Sequence, residues 1–308
     1  MGPDMTSRTL IVSAAQLGPI PASARRAETL ERLIKLLEGA AKEGTQLVVF
    51  PEAALTPFFP HWLVRDEDEL HSYYEKDLPG PDTQALFDAA LELQVSFVLG
   101  YAERTEDERL FNTAALVDEH GKVIHRYRKI HLPGFQTVQE KAPFQNLEKR
   151  YFEVGDLGFG VQPWRNTKIG LAICNDRRWA ETYRVLAIGG AEIVCLGYNT
   201  PASTPHLPES DALVNFQNHL SMQAGAYQNS MWVIGTAKAG TEEGVNQIGG
   251  SAVIAPSGEI LAVAKTLGDE LVTTEIDLDM VTRYRREIFN FAQHRRPEHY
   301  RSIARPLS

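Results

Sequence analysis

Short apolar runs alternate along this chain with longer stretches in which apolar residues recur every three or four positions, a pattern of strands followed by amphipathic helices. Thr9–Gln16 predicts a first strand. Leu30, Leu33, Ile34, Leu36, Leu37 and Ala40 then mark one face of a helix over 26–43, with Gly44 suited to its C-terminal cap. Residues 46–50 form a short apolar strand that runs directly into Pro51 and Glu52. A helix over about 82–93, a strand over 95–102 and a hairpin of 112–117 with 123–127, turning at Asp118-Glu119-His120-Gly121, complete the first half. A long connection, 129 to about 163, leads to the second half. There, strands over 168–174, 192–196 and 231–236 alternate with helices over 179–188 and 216–227, and a hairpin turns at Pro256-Ser257-Gly258-Glu259. Asp277 to Met280 begins a last helical segment.

Helix follows strand twice in each half, each half closes on a hairpin, and 46–50 corresponds to 192–196. Such alternation predicts an α/β fold with mixed sheets. No Gly/Ser/Pro-rich linker divides the halves, so the expectation is one sandwich with an internal pseudo-twofold repeat rather than two domains. The tail from about 285 to 308 is rich in His, Arg and aromatic residues and reads as an arm that docks on a neighbour.

Composition changes this picture little. The 308 residues are 43% hydrophobic and 23% charged, ordinary for a globular chain that buries a proper core. The net charge of -9, from 31 basic and 40 acidic residues, argues against a general nucleic-acid binder. No run reaches the roughly 18 to 20 apolar residues of a membrane span. The first residues, Met-Gly-Pro-Asp-Met-Thr-Ser-Arg, lack the apolar core of a signal peptide, and Met5 is a candidate natural start. The two cysteines, Cys174 and Cys195, lie in apolar strands without metal-ligand spacing, so a cytoplasmic protein without disulfides is expected. His61, His71, His125, His206, His219, His294 and His299 show no ligand spacing either, and Gly249-Gly250 lacks the strand-turn-helix setting of a phosphate loop. Neither a metal nor a cofactor is inferred.

Chemistry concentrates at three strand ends. Cys174 closes an apolar run and is followed at once by Asn175-Asp176-Arg177-Arg178. A cysteine there is a candidate nucleophile, although most free cysteines are simply small buried hydrophobes. Glu52, beside proline and several aromatics, would be partly desolvated and is a candidate general base; the plainer reading is a solvated loop carboxylate. Lys129 could stabilise a developing oxyanion, or be an ordinary surface lysine. Arg177 and Arg178 read either as an ion-pair cluster with Asp176 and Glu181 or as a planar clamp for a substrate carboxylate, and proximity to a nucleophile favours the clamp. Cys195, in mid-strand, is read as core packing.

Taken in order, Pro51-Glu52, Arg128-Lys129-Ile130-His131-Leu132 and Ile173-Cys174-Asn175-Asp176-Arg177-Arg178 resemble the Glu-Lys-Cys signature of the nitrilase superfamily of carbon–nitrogen hydrolases. The likeness spans nearly the whole chain and implies a four-layer α-β-β-α sandwich, a single domain over 6–308. Cys174-Asn175-Asp176-Arg177-Arg178-Trp179, Gly197-Tyr198-Asn199-Thr200-Pro201, Asn146 through Phe152 and Thr56-Pro57-Phe58-Phe59-Pro60 most resemble the branch acting on N-carbamoyl-D-amino acids. The resemblance makes Glu52 the base, Lys129 the oxyanion cation, Cys174 the nucleophile and Glu148 a supporting glutamate. It places His131, Asn175, Arg177, Arg178, Asn199 and Thr200 around the substrate's carboxylate and ureido group. Asn146 stands where that branch commonly has a second pocket histidine; asparagine keeps the hydrogen bonding but carries no charge. The implied partner is a small anionic N-carbamoyl or N-acyl amino acid, the implied assembly a homodimer or homotetramer. The alternative is another amidase or carbamoylase of the superfamily, acting on a β-ureido acid, an aliphatic amide or a nitrile.

Overall fold

A computed structural model describes residues 8–305; the candidate start Met5 and both chain ends lie outside the described residues. The first sheet is built from β1 (Thr9–Gln16), β2 (Leu47–Val49), β3 (Ser96–Arg104), β4 (Leu110–Val117) and β5 (Val123–Arg128). The second contains β6 (Val161–Trp164), β7 (Thr167–Ile173), β8 (Ile193–Tyr198), β9 (Trp232–Ala237), β10 (Ala252–Ile254) and β11 (Ile260–Val263), after which β12 (Glu270–Asp277) returns to the first. Strand order is β12-β1-β2-β3-β4-β5 in one sheet, with Tyr74–Glu75 beside β3, and β11-β10-β9-β8-β7-β6 in the other. Three parallel strands sit in each, β1-β2-β3 and β7-β8-β9, flanked by antiparallel neighbours. The two orders superpose strand for strand, which is the expected pseudo-twofold repeat.

Burial follows the two-residue period of the strands. In β2, Leu47 and Val49 face the inter-sheet core, while Val48 and the following Phe50 pack with Leu33, Leu37, Leu86 and Phe87 of α1 (Arg26–Lys42) and α2 (Gln84–Leu93). In β3, Val98 joins the inter-sheet core, and Phe97 and Leu99 the helical layer. On the other side α3 (Ala180–Ile188) and α4 (Val214–Asn229) contribute Tyr183, Leu186, Met222 and Ala226 to the core around the second sheet. The result is the four-layer α-β-β-α sandwich.

Three stretches depart from the sequence reading. β12 pairs with β1 along its full length, but Glu-Leu-Val-Thr-Thr-Glu-Ile-Asp has too few apolar positions to announce a strand. The expected long connection after residue 129 contains the helical turn Glu148–Tyr151 and edge strand β6, whose Pro163 masks it locally. A polar hairpin, Ala239–Glu242 with Val245–Ile248, turns on Glu243 and Gly244, both at positive φ. At the C-terminal end Phe289 packs on Tyr227, and Arg184 lies over the Phe291 ring, so the arm starts against α3 and α4 of its own chain.

Two glycines let the sheets close around one peptide. A Cβ on Gly100 of β3 would lie 2.7 Å from the Glu52 Cα, and one on Gly197 of β8 would lie 2.5 Å from the Glu52 nitrogen. Both neighbours are backbone and have nowhere to go. Gly197→Ala should therefore cost about 1–3 kcal/mol through overpacking, seen as a lowered Tm; an unchanged Tm would show that the Glu52 segment yields.

Candidate active site

β2, β5 and β7 each end at one edge of the sandwich and deliver Glu52, Lys129 and Cys174 to the same place. Ala53, directly after Glu52, has φ +47°, which turns the chain sharply off the strand. The Glu52 side chain has no solvent exposure, and both of its oxygens accept hydrogen bonds. Oε1 accepts from Lys129 Nζ at 2.6 Å and from Asn112 Nδ2 at 2.8 Å. Oε2 accepts from the Asn199 backbone N–H at 2.9 Å and from Asn199 Nδ2 at 3.3 Å. Lys129 Nζ donates as well to Glu148 Oε2 at 2.5 Å. An ammonium has three donors, so one remains for an incoming oxygen.

Strand β7 stops at Ile173, one residue short of the expected end. Cys174 opens a tight 3-10 turn, Cys174–Arg178, with φ +46°, a conformation L side chains rarely adopt. Its thiol donates to the Asn199 carbonyl at 3.2 Å, so Asn199 touches both the thiol and Glu52. Asp176, fully buried, holds the turn: it accepts from the Ile173 N–H at 2.9 Å, the Tyr127 hydroxyl at 2.8 Å and the His131 N–H at 3.1 Å.

The electrostatics follow from burial. Desolvation alone would lower the Lys129 pKa, but the fields of Glu148 and Glu52 outweigh it, and the ammonium is held well above its usual range. Burial pushes the Glu148 carboxyl up to about 7, with Lys129 opposing. The Cys174 thiol is raised by burial and by Glu52, with Lys129 and Arg177 working in the other direction.

Beside this cluster lies a cavity of about 900 Å³ whose walls include Cys174, Glu148, Asn146, Asn175, Arg178, Asn199 and Thr200. Phe58, Phe135, Val138, Phe144 and Val214 give the wall an apolar portion, and Glu140, Lys141 and His206 add polar groups. Arg178 is exposed and has no carboxylate partner among the described residues. Asn175 Nδ2 donates to the His131 carbonyl at 3.0 Å. Two expected substrate ligands are placed elsewhere. His131 does not line the cavity: Nδ1 is 2.8 Å from Asp176 Oδ1, and its ring stacks on Trp179 at 4.9 Å. Arg177 is likewise absent from the cavity wall, because its guanidinium is turned inward, with Nη1 donating to the Cys174 carbonyl at 2.7 Å. The alternative Arg–Asp176 ion pair is also not formed, since Asp176 is committed to Tyr127, His131 and Ile173.

Sequence reasoning missed four contributors. Asn112 and Tyr127 looked like ordinary strand residues; only the polar atom of each inside an apolar strand hinted at a buried bond. His61, on the cavity wall, is held neutral by burial and by Lys238, its pKa lowered to about 3. Lys238 follows β9 much as Lys129 follows β5, and pairs with Glu242 at 2.9 Å with both side chains buried. That pair anchors the segment after Glu52, with Lys238 donating to the Thr56 carbonyl at 2.8 Å and the Phe58 N–H donating to Glu242. Among the described residues no cluster of His, Cys, Asp and Glu is suited to a metal ion, and no helix is long and apolar enough to cross a membrane.

A carboxyl whose pKa is higher folded than unfolded takes up protons on folding, so its contribution to stability is greatest in acid and falls as pH rises through the folded pKa. For Glu148 the window runs from its ordinary 4.5 to about 7. Across it, Glu148→Gln should gain on the wild type by on the order of 1–3 kcal/mol, measured by denaturant unfolding at several pH values. Parallel stability–pH curves for the two proteins would rule out an elevated Glu148.

Comparison with known proteins extends these observations. The family model described as carbon-nitrogen hydrolase matches residues 11–286. A nitrilase of Pyrococcus abyssi is 32% identical over 267 residues, covering 86% of this chain and 90% of the relative. N-carbamoylputrescine amidase of Solanum lycopersicum is 27% identical over 308 residues, covering 96% and 95%. The crystal structure of a carbon-nitrogen hydrolase from Helicobacter pylori G27 superposes with a TM-score of 0.82 at 25% identity, covering 97% of this chain and 99% of that one. A match across the sandwich, spanning the strand ends that bring carboxylate, lysine and thiol together, shows that this chain belongs to the carbon-nitrogen hydrolase family of the nitrilase superfamily, whose enzymes hydrolyse carbon–nitrogen bonds other than peptide bonds.

Proposed function

We propose that the chain hydrolyses N-carbamoyl-D-amino acids to the D-amino acid, carbon dioxide and ammonia. The observation that carries the substrate class is Arg178, an exposed cation without a carboxylate partner among the described residues, on the wall of the same cavity as Cys174. In a chain of net charge -9 the attraction for an anion must be local, and Lys141 on the same wall adds a second cation to that of Arg178. The apolar portion of the wall, Phe58, Phe135, Val138, Phe144 and Val214, suits a side chain. Relatives named N-carbamoylputrescine amidase and citrullinase make a carbamoyl group a reasonable choice for the scissile end. The D preference follows from the resemblance of the Cys174–Trp179 and Gly197–Pro201 segments to that branch.

Chemistry proceeds from residue types. Glu52 takes the Cys174 proton, and the thiolate attacks the ureido carbonyl. Lys129, with its remaining donor, and the Asn175 N–H stabilise the tetrahedral oxyanion. Glu52 returns the proton to the departing nitrogen, leaving a carbamoyl thioester. Water, deprotonated by Glu52, then attacks the thioester and releases a carbamic acid, which breaks down to carbon dioxide and amine. Glu148 keeps Lys129 charged and in place, and Asn199 aligns thiol and base.

Cys174→Ala should lower ammonia release by about three orders of magnitude or more, while Cys195→Ala, a core change on β8, should keep activity at a cost of about 1 kcal/mol. Turnover surviving in Cys174→Ala would end the nucleophile assignment. A substrate filling the cavity would shield its carboxylate and Arg178 from water, and losing one partner of a desolvated Arg–carboxylate pair costs about 2–5 kcal/mol. Arg178→Ala should therefore reduce kcat/KM for carbamoyl amino acids by roughly one and a half to three and a half orders of magnitude. Neutral amides should lose far less. Equal losses on both substrate types would return the assignment to a general amidase or nitrilase.

A further inference from the structure

Among the described residues Arg177 is the one buried arginine, and its burial calls for explanation. It is 2% exposed, yet no carboxylate pairs with it among the described residues. Nη1 donates to the Cys174 carbonyl at 2.7 Å and lies 3.7 Å from the Cys174 sulfur. Nη2 donates to the Thr200 hydroxyl at 2.7 Å, the guanidinium carbon sits 4.6 Å from the Tyr198 ring centroid, and Nε has no partner. A buried cation without an anion is costly, so the fold retains this one against a penalty. The Glu52, Lys129 and Glu148 cluster, whose field reaches the sulfur, sums to one negative charge when both carboxylates are ionised. That cluster opposes a thiolate. The nearest positive charge not committed to a carboxylate is Arg177.

We propose that Arg177 is a positioning residue for Cys174 and not a ligand of the substrate carboxylate: its guanidinium clamps the Cys174 carbonyl in the left-handed turn and gains its missing ion pair when the sulfur becomes a thiolate. The proton leaves Sγ for a Glu52 oxygen, so the carboxylate cluster loses its net negative charge as the sulfur acquires one. Arg177 stays cationic throughout. The turn explains the division of labour between neighbours: with about three residues per turn, consecutive side chains of a 3-10 segment point roughly 120° apart. Arg178 is thereby left facing the cavity, while Arg177 faces the nucleophile's backbone.

The proposal rests on Cys174 being the nucleophile, and alkylation by iodoacetamide, a neutral probe that needs no substrate, separates the two claims. The label on the Cys174 peptide is followed by mass spectrometry from pH 5 to 10 in the wild type, Arg177→Lys and Arg177→Gln. Wild-type labelling no faster at Cys174 than at buried Cys195 would sink the nucleophile reading itself. If Cys174 is preferentially labelled, Arg177→Gln should move its alkylation midpoint up by about one pH unit, making labelling at pH 7 about tenfold slower. Arg177→Lys, which keeps the charge, should recover most of that rate. Arg177→Met, of similar volume and without a polar head, takes the place of Arg177→Gln should the latter not fold, with the same upward movement expected. A midpoint unmoved in the neutral variant, with KM raised only for carboxylated substrates, would overturn the proposal and restore Arg177 to the carboxylate clamp.

Discussion

A lysine ammonium sealed from solvent organises this molecule. Lys129 is 1% exposed, and its charge is tolerable only because Glu52 and Glu148 reach it at 2.6 and 2.5 Å. Removing one partner from a buried, paired charge costs about 3–5 kcal/mol, so the ends of β2 and β5 and the helical turn at Glu148 are constrained to meet. Asn112 and the Asn199 backbone N–H then hold one oxygen each of Glu52, leaving Oε2 able to accept a proton. The carboxylate is left with almost no freedom to rotate, the preorganisation that proton transfer and oxyanion stabilisation require. Gly100 and Gly197 are part of the same constraint, because any side chain on either strand would push the Glu52 backbone out of the gap between the sheets.

The nucleophile's side of the site obeys a different rule. Cys174 occupies an unfavourable backbone region, and Asp176 compensates by accepting from the Ile173 N–H just before the cysteine and from Tyr127 and His131 across the sheet edge. One buried carboxylate thus ties the turn to the chain segment that carries Lys129. A second sealed pair, Lys238 with Glu242, secures the segment after Glu52, and the hairpin that carries Glu242 bonds to the loop following β8 through Ile248 N–H to the Thr200 carbonyl at 2.9 Å. Position within the fold, and not residue type, separates the two lysine pairs: Cys174 adjoins the first, whereas the second is enclosed by backbone.

Much of the architecture was legible in the chain. Apolar periodicity is a local property, and it outlined the parallel strands, their helices and the repeat of the two halves. Strand-end placement singled out Glu52, Lys129 and Cys174, because a polar residue that interrupts a buried run must be satisfied by something. β12 was not legible: its polar residues lie on an edge that only β1 makes into a sheet. His131 and Arg177 lie off the cavity wall for a related reason. Their residue types suit a substrate carboxylate, but their side chains are consumed by Asp176 and by the Cys174 carbonyl, partners contributed by the fold.

What the sequence determined by itself, then, is the order of elements and the types of chemical group at their ends, since both depend on neighbours within a few residues. The tertiary structure alone decided which of those groups bond to one another and which remain free. That choice rests on burial: once water is excluded, each charge takes whichever partner the sheets bring within about 3 Å, and the side chains left over, Arg178 above all, define what the cavity can receive.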